Sequence, residues 1–391
     1  MAESLPLTRL TASSGNGNSR LFVLDLARCV AMIMMIQGHT LDALADPQLL
    51  DIHAFPWNIW NFIRGLTAPV FLIVSGAVHV FAMKRDSDGR MNEATMMKRI
   101  RWALLIMSVG YLLVFPANRI FDLPYLNYES WKQFFQTNIL QLTGVALLLV
   151  VWASRSTKSV KSLGIVSGIV TLAIFGLTPF MHAVNWSEFM PEPISSFLSY
   201  QHGSLFPIFP FAGFLFAGVS FGAYLKSMTT EERDEFLLRK SAFYGVIVLA
   251  LAGVTALILS QLPLPAHDFM MSNPAFMLIR IGLILIVFTL MARLHRRISA
   301  FREIYSFFSK KSFHVYIVHL LILFGTPWFS SFGRIYAKSQ DITTSFLTAI
   351  CVITVTLATI YLSDYIQRNV YRASVIMRFS FGTMLVYALL R

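Results

Sequence analysis

Apolar residues gather along this chain in runs of about twenty, the length a helix needs to cross the hydrocarbon core of a bilayer. Ten such runs are readable, at 21–43, 63–83, 99–116, 134–153, 162–182, 205–225, 240–261, 275–294, 312–332 and 344–366. The pattern predicts an all-α, polytopic membrane bundle of about ten transmembrane helices. The first run, RLFVLDLARCVAMIMMIQGHT over 20–40, departs from uniform apolarity because it holds Asp25, Arg28 and His39. A helix turns about 100° per residue, so the step from Arg28 to His39 returns to within about 20° of one direction. The step from Asp25 to His39 misses by about 40°. The three therefore predict one polar stripe, with Met32, Met35 and Ile36 between them. Charges inside a membrane are costly and face a protein interior or a water-filled cavity. This helix is expected to line a polar interior.

The loops test the count. Lys84, Arg85, Arg90, Lys98, Arg99 and Arg101 stand between the second and third runs. Arg155, Lys158 and Lys161 follow the fourth, and Lys226, Arg233, Arg239 and Lys240 the sixth. Arg293, Arg296, Arg297, Arg302, Lys310 and Lys311 follow the eighth, with Arg368, Arg372 and Arg378 after the tenth. The intervening loops are acidic, with Asp42, Asp46, Asp51, Asp122, Glu129, Glu188, Glu192 and Asp268 set against only Arg119, Lys132, Arg334 and Lys338. Basic residues collect in cytoplasmic loops. The alternation fits ten spans with both termini in the cytoplasm, and an odd number would break it. Residues 1–19, rich in Ser, Gly and Asn, read as a disordered cytoplasmic tail without a cleaved signal peptide. Residues 20–391 read as one transmembrane domain. Thr229 or Thr230 is expected to cap a short helix in the 227–240 loop, and Phe379 to Leu390 is too short to span and reads as an interfacial or packing helix.

Composition adds little that changes this picture. The chain of 391 residues is 56% hydrophobic and 13% charged, with a mean hydropathy of +0.62. Soluble proteins carry about 25% charged residues. A net charge of +12 would suggest nucleic acid in a soluble domain, but the cytoplasmic loops account for it, and no nucleic-acid partner is expected. Cys29 and Cys351 both fall in apolar runs and are expected to be free thiols. Together these features fit a multi-pass protein of a bacterial inner membrane.

Further polar residues interrupt the other runs. Arg64, Ser75 and His79 lie in the second, Asn138 and Gln141 in the fourth, Arg280 in the eighth, His314, Tyr316 and His319 in the ninth, and Asp364 in the tenth. Arg64 is expected at the depth of His39, on the outer side, and His79 reads as structural. Phe206 to Gly213 is a proline-broken opening to the sixth run. Singly, such residues are often hydrogen-bonding glue between helices. Together they predict a bundle whose interior is polar from one side to the other. His39 can act there as a base, since its ordinary pKa is about 6.5.

Ten residues lie between Arg28 and His39, and this spacing resembles the R-X10-H signature of transmembrane acyltransferases related to the acyltransferase-3 family. The leading Arg20, the Leu24-Asp25-x-x-Arg28 run and the span ending in His39 are similar to the heparan-α-glucosaminide N-acetyltransferase-like branch. RGLTAPVFLIVSG (64–76), NILQLTG (138–144), FPIFPFAGFLFAG (206–218) and KKSFHVYIVHLLIL (310–323) resemble its later blocks. The likeness runs from about residue 20 to about 366. One departure is Cys29, where family members often carry Gly.

The resemblance implies an acyl-CoA-dependent O- or N-acyltransferase that takes acetyl-CoA from the cytoplasmic side and acylates a sugar, glycan or glycolipid acceptor on the other. It implies His39 as catalytic base or transient acyl carrier, Arg28 as the cation near CoA, and Asp25 as its orienting partner. No metal is expected. Arg64, Asn138 and Gln141 are candidates for acceptor or oxyanion contacts, and Ser75, Arg280, Tyr316 and His319 for further substrate contacts. A homodimer is compatible with the sequence. A proton-coupled small-solute transporter is the competing reading, since ten spans with a through-going polar path suit it; no paired half-length spans support it.

Overall fold

The computed structural model describes residues 21–265, 268–328 and 330–390, and among them no strand is present. The tail expected at 1–19, together with Arg20, lies outside the described residues. Helices occupy all ten apolar runs. The first is α1 (Phe22–Leu44). The second is split, with α2 (Trp57–Arg64) ending before Gly65 and α3 (Thr67–Phe81) resuming after Leu66. Then come α4 (Glu93–Leu113), α5 (Ile139–Ser156), α6 (Val160–Ala183), α7 (Ile208–Lys226), α8 (Ser241–Leu259) and α9 (Pro274–Arg297). The chain closes with α10 (Arg302–Lys310), α11 (Ser312–Leu323), α12 (Ile342–Asn369) and α13 (Tyr371–Leu390).

Among the described residues, 8 helical stretches are long and apolar enough to cross a membrane. They are α1, α2 with α3, α5, α6, α7, α8 with the turns before it, α9 and α12. The other two expected spans fall short for separate reasons. Helix α4 is long enough but carries Glu93, Lys98, Arg99 and Arg101. Helix α11 has only 12 residues, rising about 18 Å. It stops because Gly325 takes a left-handed φ of 65° and Pro327 follows it, a combination that ends helices. The short helix expected in the 227–240 loop is capped by Thr229, whose hydroxyl accepts from the Glu232 backbone while the Glu232 carboxylate accepts from the Thr229 N–H.

Helix α1 is the axis of the fold. One of its faces, with Val23, Leu24, Ala27 and Ala31, joins the large apolar core built with α3 to α7 and α9. Another, with Leu26, Cys29, Met32 and Ile36, joins a smaller cluster with Tyr305, Val315, Leu323, Val352 and Ile360. Cys29 thus packs toward α10 to α12, and both cysteines are free. Helices α3 and α7 cross with almost no separation. A Cβ at Gly76 would overlap the Leu215 carbonyl, and one at Gly218 would overlap the Ile73 carbonyl. Small residues allow such approach where lipid supplies no hydrophobic drive between helices.

Phe209 breaks the first turn of α7, with φ −95° and ψ 112°. The residue before a proline is pushed into this extended region, here by Pro210. His182 at the end of α6 secures the break. Its Nε2–H donates to the Phe209 carbonyl at 2.7 Å, and Nδ1 accepts from Ser272 at 2.8 Å.

Candidate active site

A single cavity of about 900 Å³ runs between the helices, walled on one side by α1. Arg28, Met32, Met35, His39 and Asp42 line it in sequence, so the polar stripe does face a common interior. Along α1, Arg28 and His39 are separated by about 16 Å. The two ends of the cavity differ in character.

At the first end, Arg28 Nη2 donates to Ser75 Oγ at 3.5 Å and the guanidinium lies 5.6 Å from the centre of the Phe71 ring. Its Nε has no hydrogen-bond partner. His79, Arg99 and Lys310 line the same end. His79 was expected to be structural; it is 2% exposed, its Nε2 lies 3.4 Å from Ser154 Oγ, and its Nδ1 is free of partners. Among the described residues, Arg28, Arg99 and Lys310 form no ion pair. Asp25 does not line the cavity. Its carboxylate accepts from Ser306 at 3.1 Å and Ser309 at 2.8 Å, tying α10 to α1 directly beside Lys310. The three-residue step from Asp25 to Arg28 turns about 60° away from a full circle, which is enough to carry the carboxylate off the wall.

At the second end, the cation is compensated. Arg64 pairs with Asp42 through Nη1, donates from Nε to Asn61 Oδ1 at 3.0 Å, and stacks 4.7 Å from the centre of the Trp60 ring. Trp60 in turn donates to Gln37 at 3.1 Å. His39 stands on the wall beside this network, with the His319 ring centroid 5.6 Å away and Phe324 at 6.0 Å.

Asn138, Gln141, Arg280 and Tyr316 line the cavity between or near these ends. Gln141 is fully buried, and neither its amide nitrogen nor its oxygen has a partner. Buried polar groups are ordinarily satisfied, so this side chain is poised for a ligand. Arg280 lies 4.6 Å from the centre of the Phe276 ring. Tyr200, from the loop before α7, also reaches the wall. Burial, with Asp268 adding and Arg280 opposing, holds its phenol above the ordinary value, so it remains a hydrogen-bond donor.

Of the residues singled out from sequence, Arg28, His39, Arg64, Ser75, Asn138, Gln141, Arg280 and Tyr316 come together on one cavity. Asp25 and His319 do not line it; His319 is fully buried and sits behind His39. His314 is exposed, and Asp364 is bound to Lys311 at 2.7 Å and Arg368 at 2.6 Å. Sequence reasoning passed over Asp42, which extends the same stripe by one turn beyond His39. It placed Arg99 and Lys310 among loop charges, although both line the cavity from within helices. Tyr200 belongs to a non-helical stretch, where no periodicity could mark it.

The fold and its cavity define an integral membrane protein of packed helices with a largely apolar chamber along its first helix, into which a few charged and polar side chains project. Over residues 20–262 the sequence matches the family described as heparan-alpha-glucosaminide N-acetyltransferase, catalytic. That is more than half of the chain, and the chain belongs to this family. No curated protein matches it. The matched stretch contains Asp25, Arg28, His39, Arg64, Ser75, Asn138 and Gln141, whereas Arg280, Tyr316 and His319 lie beyond it.

Proposed function

We propose that this chain is a membrane acetyltransferase that moves an acetyl group from acetyl-CoA, bound at the Arg28 end, to a sugar or glycan acceptor at the His39 end. The carrying observation is one cavity lined by Arg28, Arg99 and Lys310, none of which forms an ion pair among the described residues, and by His39 about 16 Å further along α1. Partly buried cations without carboxylate partners favour an anionic ligand. The phosphates of CoA supply that charge, and its pantetheine arm would extend along the cavity toward His39. The alternation of basic loops supports the Arg28 end as the cytoplasmic one.

In this reading His39 takes the proton from the acceptor hydroxyl or amine. The acceptor oxygen or nitrogen attacks the thioester carbonyl and forms the new bond to the acyl carbon. The carbon–sulfur bond then breaks, and the departing thiolate takes the proton back from His39 to leave as CoA thiol. Gln141 and Asn138 are the candidate donors to the oxyanion. Arg64, Arg280 and Tyr316 are the candidate acceptor contacts, and Ser75 holds Arg28. Asp25 acts at one remove, through α10 and Lys310.

The test is incubation of the purified protein with radiolabelled acetyl-CoA, following CoA release and label transfer. His39→Ala is expected to lower turnover by about 10²–10⁴-fold, the range of a lost general base, with acetyl-CoA binding retained. Equal turnover in the two proteins, alongside solute uptake into proteoliposomes, would favour a carrier. Label retained on wild-type His39 before acceptor is added identifies a covalent acyl-histidine route.

A further inference from the structure

His319 is the one ring that touches His39 without facing the cavity. It is fully buried on α11, and its Nδ1 lies 2.9 Å from the Val315 carbonyl. A carbonyl oxygen only accepts, so Nδ1 carries the hydrogen and Nε2 is left with its lone pair. That Nε2 is buried and has no hydrogen-bond partner. A buried acceptor without a donor is costly unless one is presented to it. The ring beside it is His39, with centroids 5.6 Å apart and planes inclined at 31°. Among the described residues, no hydrogen bond of the His39 ring is present. Asp42, one turn further along α1, lines the cavity itself, and its carboxylate is engaged by Arg64.

From these contacts we infer that His319 is a positioning residue for His39: a small turn of the two facing rings brings the His39 ring N–H onto the free Nε2 of His319 and leaves the other nitrogen of His39 bare toward the cavity. The arrangement follows the logic of a nucleophile or base oriented by a third group, with a neutral imidazole in the orienting place. No net charge is added to the membrane interior, which suits a site where a carboxylate would be costly to keep unpaired. Val315, one turn below, sets the tautomer of His319, and His319 sets that of His39. The inference rests on His39 being the reacting group.

The test compares His319→Leu, which removes the acceptor, with His319→Gln, whose amide oxygen can stand near the position of Nε2. His319→Leu is expected to lower kcat by about 10–100-fold, less than the 10²–10⁴-fold of losing the base itself, with KM for acetyl-CoA and acceptor within about twofold of wild type. His319→Gln is expected to recover most of that loss. In a His39→Ala background, His319→Leu is expected to add almost nothing, as for residues acting as one unit. Additive losses, or equal damage from Leu and Gln, would overturn the inference and leave His319 as packing.

A second measurement needs no acceptor. The rate at which diethyl pyrocarbonate modifies His39, mapped by mass spectrometry on the full-length protein, is expected to fall severalfold in His319→Leu and return in His319→Gln. An unchanged rate overturns the pairing even if turnover is absent. Absence of turnover in wild type, with the modification rates as expected, overturns only the acetyltransferase reading.

Discussion

The two ends of the cavity use the same residue type in opposite ways. At one end Arg28 keeps an unpartnered Nε and shares its surroundings with Arg99 and Lys310, with no carboxylate paired to any of them. At the other end Arg64 is held by Asp42, Asn61 and the face of Trp60. A cation without a hydrogen-bonded carboxylate in a partly dry site can still take up an anion, while a cation already paired serves to shape its neighbourhood. In the proposed reading, this difference separates the region that receives the anionic donor from the one that orients a neutral acceptor next to His39.

Substitutions can break that contrast, the largest effect first. Arg28→Met removes the deepest of the unpaired cations and is expected to raise KM for acetyl-CoA by about 10–100-fold, as for a lost charged hydrogen bond. Acceptor KM should stay unchanged; a loss shared equally by both substrates would mean that Arg28 holds the fold rather than the donor. Next comes the pair Arg99→Gln with Lys310→Gln, nearer the mouth. It should raise donor KM by about 3–10-fold and flatten its dependence on ionic strength, because exposed charges act over a screened distance. A dependence on salt as steep as that of wild type would remove these two from the donor's path. Smallest is Arg64→Met, expected to raise acceptor KM by about fivefold, the scale of one ordinary hydrogen bond, with donor KM unchanged. A larger effect on donor than on acceptor would reverse the assignment of the two ends.

Much of this arrangement was legible in the chain because a helix converts spacing into direction. Arg28 and His39 could be placed on one wall by their eleven-residue separation, and the wall is there. Apolar runs also located helices, although the helix in the third run is too charged and that in the ninth too short to count as the spans expected there. Where tertiary contacts decide, the sequence was silent. Asp25 has the right spacing to approach the stripe, but two serines on a helix nearly 300 positions away take its carboxylate. His319 has the periodicity of a lining residue on α11 yet packs behind His39, since the tilt of one short helix against another is not written in its own period. The early stop of α11 at Gly325 was readable from Gly325 and Pro327, but the hydrophobicity of the following residues masked it. Phe206 to Gly213, in contrast, announced its break through Pro210, and the break stands at Phe209.

The crossing of α3 and α7 carries one last consequence. With the backbones in van der Waals contact at Gly76 and Gly218, neither rod can rotate or slide without its neighbour's carbonyls standing in the way. Ser75, which touches Arg28, is fixed next to that seam. The bore of the chamber is accordingly set by a rigid joint. Any change in the width of the chamber would have to come from its other walls, because this one is pinned backbone against backbone.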